Sequence, residues 1–471
     1  MEFKSGQHIH IVGIGGSGMS SIARILLERG FTVSGSDRTL NSLTDALARD
    51  GAIIYQGHAA EQIKNADLLL ISSAIYHNPE VIAAEELDLP VYKRKDILAS
   101  LMRQQQVIAV AGTHGKTTTT ALITHLLQTC GLDPSYIVGG IMGNTGTNAG
   151  VGHGRAFVIE ADEYDNMYHG LWPNIALITS IEYDHPDFFA SKLELMQSFN
   201  DFAARLRHSE DVLLVCADHD QPMRLYHDRQ AAGGGSHTYG LSSNAHYRGE
   251  NIRIEAGYTV FDVSWAVWTD RDGEPTKYMS LGTVRSPLLG QHNVQNALGA
   301  LCVANRFCNL PFDQVAAALT EFKGTERRFE LRGEIDGLTV IDDYAHHPTA
   351  IRATLQGARS RYPNHQLCAV WQPHTYSRTE QLLDDYATAF NDADQVIVTE
   401  IYAAREVSPA NGFNGSQVAQ RLQHPRTYFA ASFDQAVDQL VRSLARPAVI
   451  VIMSAGDAPQ IGELLFNQLQ T

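Results

Sequence analysis

Long apolar runs are missing from this sequence of 471 residues. None approaches the roughly 18 residues that a bilayer-spanning helix requires, so membrane insertion is not expected. The N-terminal stretch is broken by glycines between Gly13 and Gly18. It therefore lacks a charged-then-apolar leader, and a cytoplasmic location is expected. Cysteine is scarce: Cys130, Cys216, Cys302, Cys308 and Cys368 are scattered, odd in number and without a metal spacing. Reduced core thiols are the expectation, not a disulfide framework. Basic residues are in deficit, 36 against 52 acids for a net charge of −16, which argues against non-specific nucleic-acid binding. A local basic site for a small anion is still compatible with that balance. What is present is a 44% hydrophobic, globular composition and enough length for two to four domains.

The most informative stretch is Val107–Thr118, a short apolar strand, then Gly112-Thr113-His114-Gly115-Lys116-Thr117-Thr118, then a helical run. Such a loop aims backbone N–H groups at one point, where a helix dipole and a lysine add positive charge. It suits a triphosphate, with Thr117 placed for Mg²⁺. Val110 stands where the usual pattern has glycine, so the match is incomplete. Two later strands end in acids: Ala156–Ile159 runs into Glu160-Ala-Asp162-Glu163, and Ile175–Ile181 into Glu182-Tyr-Asp184-His185. Acids at the carboxyl ends of parallel strands beside a phosphate loop can hold magnesium, a hard cation; alternatively they cap loops. Residues 246–285 alternate polar and apolar and predict antiparallel hairpins turned at Asp272-Gly273. Gly290-Gln-His292-Asn293-Val-Gln-Asn296 opens a helix, and its amides either read an adenine edge or cap the helix.

Two further α/β units flank this one. The first opens with a strand and Gly13-Ile-Gly15-Gly16-Ser17-Gly18, with Asp37 at the end of the second strand. That is a nucleotide-binding βαβ pattern, in which the backbone approaches a diphosphate and the acid takes a ribose hydroxyl. Alone it suits NAD as well as any nucleoside diphosphate, and a nicotinamide-dependent dehydrogenase is the alternative of another class. That alternative leaves Gly115-Lys116-Thr117 unexplained. Ser72 and Ser73, ending another strand, either donate to phosphate or cap a turn. A polar, cationic linker (Lys93, Arg94, Lys95, then Arg103 to Gln106) leads into the middle unit. The last unit begins with Arg327-Arg328 and places polar residues after successive strands: Asp342-Asp343, His346-His347, His374, Arg378 and Asp457. The fold class is therefore α/β in three domains, at 1–105, 106–323 and 324–471. The expectation is a Rossmann-like N-terminal unit, a central ATPase-type parallel sheet with added hairpins, and a Rossmann-like C-terminal unit. No Ser-His-Asp or Cys-His order supplies a nucleophile. Phosphoryl transfer to a carboxylate, followed by amine attack on the acyl phosphate, fits the three rims.

As an ordered set, these motifs resemble the Mur ligase family over essentially the whole chain, and its alanine-adding branch in particular. The resemblance implies an ATP-dependent amide ligase joining L-alanine to UDP-N-acetylmuramate in peptidoglycan precursor synthesis, as a monomer or homodimer. It implies Mg²⁺, or Mn²⁺ in its place, on Thr117, Glu163 and His185. Catalytic roles fall on Lys116, Glu163, His185 and Arg328, and ATP contacts on Gly112–Thr118, His292, Asn293, Asn296, Arg328 and Asp343. UDP-sugar contacts fall on Gly13, Gly15, Gly16, Ser17, Gly18, Asp37, Ser72 and Ser73, and amino-acid contacts on His347, His374 and Arg378. The chain departs from the family at Thr375, where arginine is common, at Arg405, where glycine is usual, and at Tyr164, where serine is common. The nearest rival inside the family attaches an intact tripeptide, with Glu-Pro-Arg where this chain has Gln372-Pro373-His374.

Overall fold

The computed structural model describes residues 6–72, 78–269, 275–404, 406–410 and 412–470. Its first sheet is built from β1 (His8–Val12), β2 (Thr32–Asp37), β3 (Ile53–Gln56), β4 (Leu68–Ile71) and β5 (Val91–Lys93). The order is β3-β2-β1-β4-β5, all parallel. The crossover helix Ser17–Glu28 follows β1 and buries Ile22, Ile25 and Leu26, the apolar stripe that its 3.6-residue period requires. The cationic linker expected at 93–106 is largely folded. Its start is the edge strand β5, and Arg94–Leu101 is a helix with Ile97, Leu98 and Leu101 buried. The apolar residues at i, i+1 and i+4 supply a face that the charges around them mask in the sequence.

The central sheet contains β6 (Gln106–Ala111), β7 (Ser135–Ile137), β8 (Ala149–Gly150), β9 (Ala156–Glu160), β10 (Ile175–Ile178), β11 (Val212–Cys216), β12 (Gly235–Gly240), β13 (Tyr247–Glu255), β14 (Tyr258–Thr269) and β15 (Pro275–Ser286). They run in the order β15-β14-β13-β12-β11-β10-β6-β9-β7-β8. The strand under the phosphate loop, β6, lies between β10 and β9 with parallel pairing on both sides. The acids at the ends of β9 and β10 therefore flank the loop. The expected hairpins exist as β13–β14 and β14–β15, both antiparallel. The first turns at Ala256-Gly257, where both residues have positive φ, 49° and 81°; the Asp272-Gly273 turn lies outside the described residues.

The last sheet comprises β16 (Glu330–Ile335), β17 (Leu338–Asp343), β18 (Gln366–Trp371), β19 (Gln395–Thr399), β20 (Thr427–Ala430) and β21 (Ala448–Met453). Its order is β16-β17-β21-β18-β19-β20, parallel except for the antiparallel edge strand β16. Asp342 and Asp343 belong to β17 itself and do not follow it. One apolar cluster runs from Ile9 through Phe157 to Tyr226, so the first two sheets share a core. The two clusters of the last sheet contain, among the described residues, nothing before Phe329. No helix among the described residues is long and apolar enough to cross a membrane.

Candidate active site

The phosphate loop takes its shape from two glycines. Gly112 has φ 131°, and a Cβ there would lie 2.1 Å from Thr179 Oγ1. Gly115 has φ 78°, and its Cβ would lie 2.3 Å from Asn296 Oδ1. Larger residues would have both clashes and a left-handed backbone to accommodate. The loop opens into the helix Lys116–Thr129, whose N-cap Gly115 makes no side-chain cap, leaving N–H groups directed at the cavity. That cavity, of about 1210 Å³, is lined by Ser17 and Gly18 of the first unit, Thr113–Thr118 and His292 of the second, and Arg328, His374 and Arg378 of the third.

Lys116 anchors the electrostatics. Its Nζ donates to Gly112 O at 2.5 Å and to Glu163 Oε1 at 2.9 Å. Burial works against its charge, but Glu163 and Asp162 outweigh it and hold the ammonium protonated. Glu163 is 1% exposed. Its Oε2 lies 2.8 Å from the ammonium yet takes no hydrogen bond. His185 Nε2 is 3.6 Å from Glu163 Oε1. Burial pushes the Glu163 carboxyl up, and Lys116 and His185 pull it further down, leaving it below its ordinary value. Thr117 Oγ1 donates to Glu160 Oε1 at 3.1 Å and accepts from Arg328 Nη2 at 3.2 Å. Glu160 lines the cavity with Asp162. It is one of the strand-end acids that the sequence places beside the phosphate loop, although the family resemblance assigned the metal to Glu163 alone of the three.

Arg327 and Arg328 both line the cavity, and Arg328 is the one that reaches Thr117. Arg327 donates from Nη2 to Ser454 O at 2.6 Å, within the last unit. Asp343, expected at a ribose, lines the cavity; it accepts from Phe329 N and Ala345 N, both at 2.7 Å, and so shapes the loop that presents Arg328. Asn296, expected to face adenine, is 6% exposed behind Gly115, accepting from Thr119 Oγ1 at 3.2 Å. His292, Asn293 and Asn296 all line the cavity. Burial, with His114 nearby, pushes the His292 pKa down to about 4, so its ring is neutral.

Two carboxylates after β10 reach into the last unit. Asp184 Oδ1 accepts from Arg378 Nε at 2.6 Å, with both side chains buried. Arg378 also meets His374 Nδ1 at 2.8 Å and His185 Nδ1 at 3.3 Å. Three of its donors are therefore engaged within the protein, and two remain for an incoming carboxylate. Glu182 accepts from His114 Nε2 at 2.7 Å and from Thr349 Oγ1 at 2.8 Å. His347 Nδ1, 3.6 Å from Glu182, caps the helix Pro348–Arg361 through Thr349 N at 3.3 Å. His114, Glu182 and His347 offer ligand atoms within 4.8 Å of one another. Glu182 already accepts from His114 and Thr349 there, so the group acts as a bridge between the two units, with His347 Nε2 buried without a hydrogen bond. His347, expected beside the amino acid, lines the cavity and joins this bridge; the ring of His346, also in the lining, faces that of His374 at 5.7 Å.

In the first unit, Ser17 and Gly18 line the cavity, as do Asn41 and Arg94, which sequence reasoning missed. Gly13, Gly15, Gly16, Asp37 and Ser72 lie outside that lining, and Ser73 lies outside the described residues. Asp37 Oδ2 accepts from Gly15 N at 2.9 Å, so its carboxylate orders the glycine turn. Thr375 has φ 62° and precedes the helix Tyr376–Gln381 that carries Arg378; Glu406 Oε2 accepts from Tyr376 N at 2.5 Å and braces it. Tyr164 donates to Asp187 at 3.1 Å, its ring 5.2 Å from that of His185. Arg405 lies outside the described residues.

Comparison with known proteins gives one family throughout. The Mur ligase family catalytic domain matches residues 8–106, the Mur ligase middle domain 110–304, and the Mur ligase glutamate ligase domain 327–456. The chain is 39% identical to a UDP-N-acetylmuramate–L-alanine ligase of Salinibacter ruber, covering 98% of this chain and 95% of that protein. It is 40% identical to one from Roseiflexus castenholzii, covering 97% and 96%. Among solved structures, the UDP-N-acetylmuramate–alanine ligase of Thermotoga maritima superposes with TM-score 0.79 at 27% identity, covering 98% and 99%. A murein peptide ligase of Psychrobacter arcticus gives 0.73 at 26%, covering 98% and 99%.

Proposed function

The chain belongs to the Mur ligase family, and from that premise we propose that it joins L-alanine to the lactyl carboxylate of UDP-N-acetylmuramate with cleavage of ATP. This reaction is a step of peptidoglycan precursor synthesis in the cytoplasm. The observation that carries the reading is the single cavity onto which the phosphate loop, the glycine loop of the first sheet and the Arg378 helix of the last all open. We assign residues 1–105 to the UDP-sugar, 106–323 to ATP and 324–471 to the amino acid.

The chemistry follows from charge and position. Lys116 and Arg328 converge on the phosphate loop from two domains. There they stabilise the negative charge that spreads over a transferring phosphoryl group. The substrate carboxylate attacks the γ-phosphorus, the bond to ADP breaks, and an acyl phosphate results. The unprotonated amine of alanine then attacks the acyl carbon, forming the C–N bond as phosphate leaves. The donors of Arg378 not used by Asp184, His374 and His185 suit the alanine carboxylate. Thr117, Glu160, Glu163 and His185 form a mainly oxygen donor set, and Oε2 of Glu163 is a buried acceptor without a hydrogen bond. This set fits Mg²⁺, or Mn²⁺, which when bound would neutralise phosphate charge.

ADP release, measured with and without UDP-N-acetylmuramate across L-alanine, L-serine, glycine and an intact tripeptide, tests the reading. L-alanine should give the highest kcat/KM, strictly dependent on the UDP-sugar. Preference for the tripeptide would move the chain to the peptide-adding branch, and tight NADH binding without UDP competition would overturn the assignment.

A further inference from the structure

Arg94 is the residue that the reaction described above leaves unused. It opens the helix Arg94–Leu101, whose buried face (Ile97, Leu98, Leu101) joins the core shared by the first two sheets. The next residue fixes the helix on its other side: a Cβ on Gly170 would lie 2.4 Å from Lys95 O. The guanidinium lies against the glycine loop. A Cβ on Gly18 would come 2.6 Å from Arg94 Nη1 and 2.7 Å from Cζ, so the last glycine of the fingerprint is what leaves room for the arginine. Arg94 lines the central cavity together with Ser17, Gly18, Glu160 and Asp162.

An arginine carries five N–H donors and no acceptor. Among the described residues, none of those of Arg94 makes a hydrogen bond, and its buried Nε has no partner. Asp162 and Glu160 act on it only at longer range, while burial pulls its pKa down. A guanidinium serving a structural pair would have closed on one of these acids, as Arg378 does on Asp184 at 2.6 Å. Instead it faces the start of the helix Ser17–Glu28, whose N-cap Gly16 makes no side-chain cap and whose first turn holds no acid. Helix N–H groups and a planar fork of donors converge there, the combination that selects phosphate oxygens.

Resting on the assignment of the first domain to a UDP-sugar, we propose that Arg94 is a substrate-binding residue that clamps the diphosphate of the nucleotide sugar where it leaves the glycine loop for the central cavity. The lactyl carboxylate of the same substrate is the other oxyanion within its chemistry, and ligands lacking one or the other distinguish them. Calorimetric titration of UDP, UDP-N-acetylglucosamine and UDP-N-acetylmuramate into the ligand-free full chain compares wild type with Arg94→Ala and Arg94→Lys. Arg94→Ala is expected to raise Kd about tenfold or more for all three ligands, and Arg94→Lys to recover only part of that, because a point charge cannot reproduce the fork. The melting temperature of ligand-free Arg94→Ala should not fall, since no native partner is lost. A loss confined to UDP-N-acetylmuramate overturns the diphosphate clamp and moves Arg94 to the lactyl carboxylate. Unchanged Kd values, or a lowered melting temperature that accounts for the loss, overturn it. Wild type that fails to bind UDP at all overturns the wider reading of the first domain along with it.

Discussion

The two seams of the molecule are built differently. Between the first and central sheets the contact is largely apolar, one cluster running through Ile9, Leu98 and Phe157. Its polar additions include Asn148 Nδ2 donating to Ser17 O at 3.1 Å, and the arginine on its rim makes no hydrogen bond among the described residues. Between the central and last sheets no apolar cluster is shared among the described residues. That seam is held by Asp184–Arg378, by Glu182 with Thr349 and His347, and by Arg328 on Thr117. Apolar burial is non-directional and holds two bodies as one. Ion pairs and hydrogen bonds are directional, and water replaces them when they separate. The first seam thus suits a fixed floor for a nucleotide sugar, and the second a joint that can form and break around ATP.

Five substitutions break or sharpen this contrast, taken from the largest expected effect downward. Lys116→Ala removes the charge at the centre of the polar seam, and kcat for ADP release should fall by about a thousandfold or more; near-normal turnover would remove Lys116 from the reaction. Asp184→Asn leaves the Arg378 guanidinium buried without its counter-charge. Breaking such a pair costs on the order of 3–5 kcal/mol, and the KM for the amino acid should rise about a hundredfold. A KM effect confined to ATP would instead place the pair at the nucleotide.

Glu182→Gln and Thr349→Val test the bridge by a double-mutant cycle. Each should lower kcat, by about tenfold and about threefold, and the double variant should be no worse than Glu182→Gln alone, because both remove one contact. Simple multiplication of the two effects would mean the residues act independently. Burial opposes ionisation of Glu182, and His114 with His347 overcomes it, holding the carboxyl at about 2 against an ordinary 4.5. A depressed carboxylate contributes fully above its unfolded value and is lost as pH falls through its folded one. The coupling should therefore be flat from pH 9 to 6 and decline only below about 4.5. Finally, Asn148→Ala should cost only about 1 kcal/mol of stability by thermal melting and leave kcat unchanged. A large drop in kcat would show that the first seam also works during turnover.

Much of this was legible along the chain. Three α/β units, the phosphate loop and the acids after β9 and β10 all follow from local patterns, since strand ends and glycine turns are written in contiguous residues. Less legible was which of several neighbouring polar groups faces the cavity. Glu160 and Glu163 differ by three positions, yet one lines the cavity and the other lies behind Lys116. Adjacent His346 and His347 point to different partners, His374 and Glu182. Arg94, in a stretch whose charges read as a linker, gained its place only when its helix packed against residues more than sixty positions later, such as Tyr168.

The sequence by itself determined the kinds of chemistry available: a loop that takes phosphate, acids that take a cation, arginines that take oxyanions. Those are properties of residue type and of spacing within a turn or a strand end. Tertiary structure decided which charges neutralise one another and which stay open to a ligand. Arg378 and Arg94 are the same residue type; Asp184, nearly two hundred positions away in the chain, engages the first, and among the described residues none closes on the second. Ion pairing depends on distance in space, and only the packed fold sets those distances.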